Sequence, residues 1–100
     1  MKPSDAIQGK TKEIKQTVES YGFVDVRIFG SLCRGEDREG SDLDLLVTIP
    51  AERAGKISLF DILDLESKLE EMLGVPVDMY VANNMPDYLK PEVERSATLL

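Results

Sequence analysis

Histidine is absent from the sequence, and cysteine occurs only once among the 100 residues. Without histidine, the chain cannot form a Ser-His-Asp triad, a histidine metal site or an imidazole acid–base pair. The single cysteine, Cys33, has no partner for an internal disulfide. Carboxylates are therefore the side chains that remain for acid–base chemistry or for binding a metal ion.

Basic residues are also scarce. The chain has 12 lysines and arginines against 19 aspartates and glutamates, which gives a formal net charge of -7. General nucleic-acid binders gain most of their affinity from basic side chains that neutralise phosphates. We therefore expect no direct nucleic-acid binding, and an anionic substrate would need a local binding device.

Long apolar runs are missing as well. No segment approaches the roughly 18 apolar residues that span a membrane, and the first 20 residues contain no apolar stretch typical of a signal peptide. We therefore expect a cytoplasmic protein without a membrane role. The length and the 42% of hydrophobic residues predict a single domain over residues 1–100.

The periodicity of apolar residues predicts that helices and strands alternate along the chain. A first helix is predicted from Ser4 or Asp5, either of which could cap it, to about Tyr21, and Gly22 is well placed to end it. The first strand is "FVDVRIF" at 23–29. In this stretch Val24, Val26 and Ile28 alternate with two charged residues. We therefore expect these three apolar side chains to face the core.

The remaining elements complete the predicted sheet. The second strand is "DLDLLVTI" at 42–49, and Ser58 with Asp61 begins a capped amphipathic helix. The apolar stripe of that helix contains Leu59, Ile62, Leu63, Leu69 and Leu73. The third strand is "VPVDMYV" at 75–81, and a weaker helix is predicted over 88–99. This order predicts an α/β (α+β) fold in which helices flank a small, mixed, three-stranded sheet.

Two carboxylates stand in the second strand. Alternate side chains of a strand share a face, so Asp42 and Asp44 point the same way, with Cα atoms about 6.5 to 7 Å apart. The solvent-facing side of an amphipathic strand could account for such a pair alone. Two ionised carboxylates this close would repel each other unless a cation lies between them, and Mg²⁺ prefers such oxygen ligands. The pair therefore predicts half of a metal site.

Asp78 is a third carboxylate in an apolar strand, between Val77 and Met79. Three aspartates from two neighbouring strands could hold two metal ions about 3.5 to 4 Å apart, an arrangement that clamps both oxygens of an in-line phosphoryl or nucleotidyl transfer. We expect Asp42 and Asp44 to bridge both ions. Asp78 would hold the ion beside the attacking hydroxyl and help to deprotonate it.

A phosphate-binding corner is predicted where the first strand ends. Gly30 allows the backbone to approach an anion closely, and the short helical turn that follows would aim free N–H groups at it. Ser31 adds a hydroxyl donor. Arg34 could reach the same phosphates, or it could form a surface ion pair with Glu36 or Asp37.

These residues form a known pattern. Gly30-Ser31, ten residues and Asp42-Leu43-Asp44 reproduce the G-S-x10-D-x-D signature of the DNA polymerase β-like nucleotidyltransferase superfamily. The stretch "GSLCRGEDREGSDLDLLV" most resembles its minimal nucleotidyltransferases, the MNT proteins. The resemblance covers about 55 residues, from the first strand through Asp78. It departs from the family at Cys33, where alanine is usual, a change from one small residue to another.

The resemblance implies a fold, a reaction and a partner. MNT proteins commonly act as antitoxins beside a HEPN-domain ribonuclease toxin, and this one is similar to adenylyltransferases that move AMP from ATP onto a toxin tyrosine. It implies two Mg²⁺ ions as cofactors, ATP as substrate and a hetero-oligomer with the toxin. Two rival functions remain open, namely an antitoxin that only occludes the toxin and a nucleotidyltransferase that acts on a small molecule. The second rival would need an acceptor domain, for which 100 residues leave little room.

Three further features have two interpretations each. Cys33 is expected to be a small, partly buried apolar residue rather than a nucleophile. Tyr80 could stack on a nucleotide base or pack against a helix. The acidic helix "DILDLESKLEEML", with five carboxylates and one lysine, predicts either a solvated face or a surface for a basic partner.

Overall fold

Four strands form one mixed sheet, where the sequence predicted three. They are β1 (Val24–Phe29), β2 (Leu43–Thr48), β3 (Val77–Val81) and β4 (Thr98–Leu99), in the order β3-β2-β1-β4. β1 is antiparallel to β2 and β4, whereas β2 is parallel to β3. The computed structural model describes the backbone of residues 1–100 and all side chains except those of residues 92, 94 and 96.

The helices are α1 (Pro3–Ala6), α2 (Thr11–Ser20), α3 (Leu59–Leu73) and α4 (Lys90–Ser96), with 3-10 turns at Ala51–Arg53, Ala82–Asn84 and Asp87–Leu89. The last helix is thus shorter than predicted, because the chain extends after it and pairs with β1 as β4. Among the helices that the structure describes, none has the length and apolar character needed to cross a membrane.

The predicted first helix is divided into α1 and α2. Gly9 has a left-handed backbone, with a φ of +74°, and this conformation interrupts the helix. The prediction of Ser4 or Asp5 as its cap is wrong, because α1 begins at Pro3, whose fixed φ suits the first helical position. The predicted end is confirmed, since α2 stops at Ser20 and Gly22 has a φ of +98°.

A capping box begins α3, as predicted. The Ser58 hydroxyl accepts a hydrogen bond from the Asp61 amide, and the Asp61 carboxylate accepts one from the Ser58 amide at 2.8 Å. The left-handed residue Gly74 ends the helix. Its predicted apolar stripe is partly wrong, because Leu59 and Leu63 in the first two turns are 67% and 49% exposed.

The main core lies between one face of the sheet and the two longer helices. It contains Ile14 and Val18 of α2, Leu65, Leu69 and Leu73 of α3, Val26 and Ile28 of β1, and Leu43, Leu45 and Val47 of β2. Val24 is exposed, contrary to the prediction, because the ladder shifts register between Val24 and Arg27, and Asp25 there has a φ of +52°. Along β2 and β3, the residues that alternate with the core residues lie on the other face of the sheet, away from α2 and α3.

The capping box generates a stability prediction. Ser58→Ala removes the hydroxyl that accepts from Asp61, so we expect unfolding to become easier by about 1 kcal/mol and the melting temperature to fall by roughly 4–8 °C. Ser67→Ala, on the exposed middle of the same helix, is the matched control and should cause no loss. Thermal unfolding followed by circular dichroism measures both variants, and equal melting temperatures would contradict the role of the cap.

Candidate functional site

The parallel register of β2 and β3 brings the three predicted aspartates to one end of the sheet. Asp44 is paired directly with Asp78, on strands that neighbour each other at about 4.8 Å. Asp42 precedes β2 by one residue, and the Leu43 amide donates to the Pro76 carbonyl at 2.8 Å, so the pairing extends beside it. All three side chains lie on the face opposite α2 and α3.

Asp42 and Asp78 interact directly. Their carboxyl groups lie within hydrogen-bonding reach of each other, and partial burial together with this neighbour raises the pKa of Asp78 above its ordinary value. Glu66 and Glu70 of α3 contribute to the same rise in the Asp78 pKa. The site therefore concentrates negative charge where a cation would relieve it.

Gly30 lies against Asp44, and only glycine fits there. Its φ is +81°, in the left-handed region, and a Cβ added to it would lie 2.3 Å from the Asp44 Oδ2. Gly30 follows Phe29, which is paired with Asp44 across the β1–β2 ladder. The end of β1 and the Asp44 carboxylate therefore lie side by side in the folded chain, although residues 31–41 separate Gly30 from Asp42 in the sequence.

The turn after Gly30 is also present. The amides of Arg34, Gly35 and Glu36 donate the hydrogen bonds within this turn. The amides of residues 31–33 donate none of these bonds. Ser31 is half-buried at the start of this turn. An acceptor that approached the end of β1 would therefore meet backbone N–H groups and a serine hydroxyl.

Arg34 is exposed and makes a surface ion pair. Its Nε lies 3.1 Å from the Glu36 carboxylate, which is one of the two arrangements predicted for it. Exposed pairs of this kind contribute about 0–1 kcal/mol.

Hydrogen bonds hold the loop between the turn and β2 at two points. The Asp37 carboxylate accepts from the Ser4 amide at 2.9 Å, and this hydrogen bond lowers the pKa of Asp37. The Ser41 hydroxyl accepts from the Arg38 amide, and the Ser41 amide donates back to the Arg38 carbonyl. This second pair forms the tight turn that precedes Asp42.

An apolar floor lies beside the aspartates on the same face of the sheet. Phe29 and Leu46 are buried, and the Tyr80 ring meets Phe29 edge-on with 5.0 Å between centroids. Tyr80 thus packs against β1 rather than against a helix. Burial raises the pKa of Tyr80, and the three aspartates, Asp44 foremost, add to the rise.

Cys33 is partly buried against the core, as predicted, and its thiol donates to the Ile28 carbonyl.

The donor chemistry of this site suits Mg²⁺, because three carboxylates lie on one face at this end of the sheet and magnesium prefers oxygen ligands. Within the described part of the chain, however, no three acidic or thiol side chains converge into a preformed metal site. The reason is visible in the geometry, since Asp44 lies against Gly30 while Asp42 and Asp78 face each other. Small side-chain rotations would be needed to direct all three carboxylates at one ion.

Two acidic neighbours of the site were not predicted. Glu66 and Glu70 accept hydrogen bonds from backbone amides of β3, on either side of Asp78. A usable signal was present, because two glutamates spaced by four residues share one side of a helix that leads into an edge strand. The sequence predicted them only as members of the acidic face of that helix.

Comparisons with known proteins agree with this geometry. Residues 11–100 match the family model described as "Nucleotidyltransferase domain". The protein adenylyltransferase MntA of Thermococcus cleftensis is 34% identical over 88 residues, which are 85% of this chain and 82% of the relative. A solved structure assigned to the minimal nucleotidyltransferases is 35% identical, with a TM-score of 0.80 and coverage of 96% of this chain and 94% of that one.

Toxin–antitoxin complexes share the fold at lower identity. One with AMP-PNP aligns with a TM-score of 0.76 at 20% identity, covering 90% of this chain and 71% of that one. Another contains tri-AMPylated Shewanella oneidensis HEPN toxin with MNT antitoxin, and it aligns with a TM-score of 0.70 at 18% identity, covering 92% and 69%. At these identities, the likeness extends to the fold alone.

The Gly30 contact generates a prediction with an internal control. Gly30→Ala combines backbone strain of about 1–2 kcal/mol with displacement of the Asp44 carboxylate. Gly55→Ala creates the same kind of strain at a φ of +76°, where an added Cβ meets nothing within 4 Å. We expect both to lower stability in urea unfolding, but only Gly30→Ala to weaken Mn²⁺ binding measured by electron paramagnetic resonance. Unchanged Mn²⁺ affinity in Gly30→Ala would show that the contact does not matter for the site.

Asp78 generates a prediction about pH. Because folding raises the pKa of Asp78, the folded state holds this proton more tightly than the unfolded chain does. The stabilisation that this bound proton gives to the folded state is complete below the ordinary carboxyl pKa. It is lost as the pH rises through the raised pKa of Asp78. At pH 7 in chelator, Asp78→Asn should therefore stabilise the protein, by about 1 kcal/mol for removal of one like-charge contact.

The measurement is thermal unfolding of both proteins from pH 4 to pH 8 in a metal-free buffer. The stability advantage of Asp78→Asn should grow with pH across the raised pKa. Asp25→Asn removes the same charge from an exposed residue and is the control. A melting temperature for Asp78→Asn at or below that of the wild type at pH 7 would contradict the prediction.

Proposed function

This chain belongs to the nucleotidyltransferase domain family, and we propose that it is an antitoxin that transfers AMP from ATP to a hydroxyl, most simply a tyrosine, of a partner HEPN-domain toxin. The single observation that carries the proposal is the placement of Asp44 opposite Asp78 and against Gly30, with Asp42 beside Asp78, at one end of the sheet. The chain is a nucleotidyltransferase enzyme, and its relative MntA is named a protein adenylyltransferase. The fold is shared with an antitoxin in complex with a tri-AMPylated HEPN toxin.

The three aspartates would hold two Mg²⁺ ions in this reaction. When bound, such ions neutralise phosphate charge and make a hydroxyl easier to deprotonate. The raised pKa of Asp78 supports this role, because an ionised carboxyl group that is destabilised by partial burial and by neighbouring negative charge gains from a cation. Asp42, Asp44 and Asp78 would hold the ions, and Asp78 would also help to deprotonate the acceptor hydroxyl.

The end of β1 would hold the triphosphate. Gly30 presents no side chain there, and the amides and hydroxyl at Ser31 provide donors for phosphate oxygens. Arg34 would leave Glu36 and bind a phosphate oxygen, supplying positive charge in an acidic protein. ATP is the donor that best fits the proposal, since a structural neighbour was solved with AMP-PNP.

The reaction balances as a single displacement. The acceptor oxygen forms a bond to the α-phosphorus of ATP, the bond from that phosphorus to the bridging oxygen breaks, and pyrophosphate leaves. The acceptor proton passes to Asp78, directly or through water. The modified toxin carries one additional AMP for each ATP consumed.

A macromolecular acceptor fits the exposed position of the site. Asp42 is exposed, so a hydroxyl on the surface of a second protein could reach the site, and contacts with that protein would position it. A stable hetero-oligomer with the toxin would do this. We expect the reaction in the cytoplasm, where ATP is available, without direct binding of nucleic acid.

The experiment is intact-mass spectrometry of the protein encoded beside this one, which we expect to be a HEPN-domain toxin, after incubation with this protein, ATP and Mg²⁺. We expect the toxin to gain whole AMP masses, and Asp44→Asn to slow the gain at least about 100-fold. Asp25→Asn is the matched control, because Asp25 is an exposed strand aspartate remote from the site, and asparagine also tolerates its positive φ. Adding chelator should stop the reaction.

The result that would overturn the proposal is an unmodified toxin that is nevertheless inhibited. This outcome would establish neutralisation by occlusion. AMP transfer to a small hydroxylated molecule but not to the toxin would establish the other rival.

A further inference from the structure

Two glutamates of α3 bind the open edge of the sheet. β3 is an edge strand, so its outward amides have no neighbouring strand to accept their hydrogen bonds. The Glu70 carboxylate accepts from the Val77 amide at 2.9 Å, and the Glu66 carboxylate accepts from the Met79 amide at 2.8 Å. Side chains of α3 thus accept the hydrogen bonds that a fifth strand would otherwise accept from β3.

The spacing of these hydrogen bonds matches the two elements. Residues four apart on a helix are separated by about 6 Å along its axis, and residues two apart on a strand by about 6.6 Å. Glu66 binds the later strand residue and Glu70 the earlier one, as expected for a helix antiparallel to β3. Both carboxylates can therefore be satisfied at once without distortion of either element.

The residue between the two bound amides is Asp78. The peptide groups on both sides of it are held from α3, and the ladder to β2 holds it from the other side, opposite Asp44. We infer that Glu66 and Glu70 are positioning residues, which fix the backbone on both sides of Asp78 so that its carboxylate meets the metal and the acceptor hydroxyl. This inference rests on the proposed function.

The two hydrogen bonds act on β3 rather than on the position of α3. A glutamine side chain could accept the same bonds, so the acceptor oxygen and not the charge carries this role. The core contact between α3 and the sheet, through Leu65 and Leu69, keeps the helix in place without these bonds. The two glutamates therefore act locally, on the strand segment that contains Asp78.

The test compares the double variants Glu66→Ala/Glu70→Ala and Glu66→Gln/Glu70→Gln. Alanine removes the acceptors, whereas glutamine retains an acceptor oxygen without the charge. For the alanine variant we expect Mn²⁺ affinity, measured by electron paramagnetic resonance with AMP-PNP present, to fall about 10-fold, the lower end of what residues supporting metal ligands contribute. The glutamine variant should retain most of the affinity.

Kinetics provide a second readout. We expect the alanine variant to lower kcat for AMP transfer while the KM for ATP stays unchanged, because the phosphate corner lies on β1. Hydrogen exchange at the Val77 and Met79 amides should become faster in the same variant. Glu71→Ala is the control, since Glu71 is the next residue on the helix and is exposed. It should change none of these quantities.

Each outcome decides the inference. If the double alanine variant does not fold, Glu66→Ala and Glu70→Ala are measured singly, and each should show a smaller loss of Mn²⁺ affinity. Wild-type affinity in the alanine variants, or an equal loss in the glutamine variant, would overturn a role through backbone positioning. Mn²⁺ binding needs no AMP transfer, so an unmodified toxin would contradict the proposed function and leave this test valid.

Discussion

The pairing of Asp44 with Asp78 across the parallel strands β2 and β3 is the constraint on which the rest of the structure depends. Adjacent carboxylates repel, and the strands would not adopt this register for its own sake. They are held there by the opposite face, where Leu43 and Leu45 are completely buried beneath the helices. A slip of one residue would expose these leucines and bury the aspartates, so the apolar core enforces the register of the polar site.

The two faces of the sheet have divided roles. One face packs against α2 and α3 and contains the main core. The other carries the aspartates beside a small apolar floor, in which the Tyr80 ring packs against Phe29. The α3 helix contributes to both, because its leucines enter the core while Glu66 and Glu70 reach the edge of β3. The helix that packs the core thus also supports the charged site.

Much of the architecture could be predicted because its signals are local. The capping box at Ser58, the strand that carries Asp42 and Asp44, and the turn after Gly30 all depend on residues near each other in the chain. The errors arose where distant segments decide the structure. β4 pairs through only two residues, and Val24 is exposed because a register shift interrupts the alternation of β1.

The amino-acid sequence by itself determined the chemistry available, since the lack of histidine and the aspartates at regular strand spacing leave carboxylates as the reactive groups. Tertiary structure alone decided how those groups meet. Residue periodicity indicates which face of a strand a side chain occupies, but not which strand lies beside it or in which register. For that reason the contact of Gly30 with Asp44, the pairing of Asp44 with Asp78, and the glutamates that hold the amides beside Asp78 became apparent only in the folded chain.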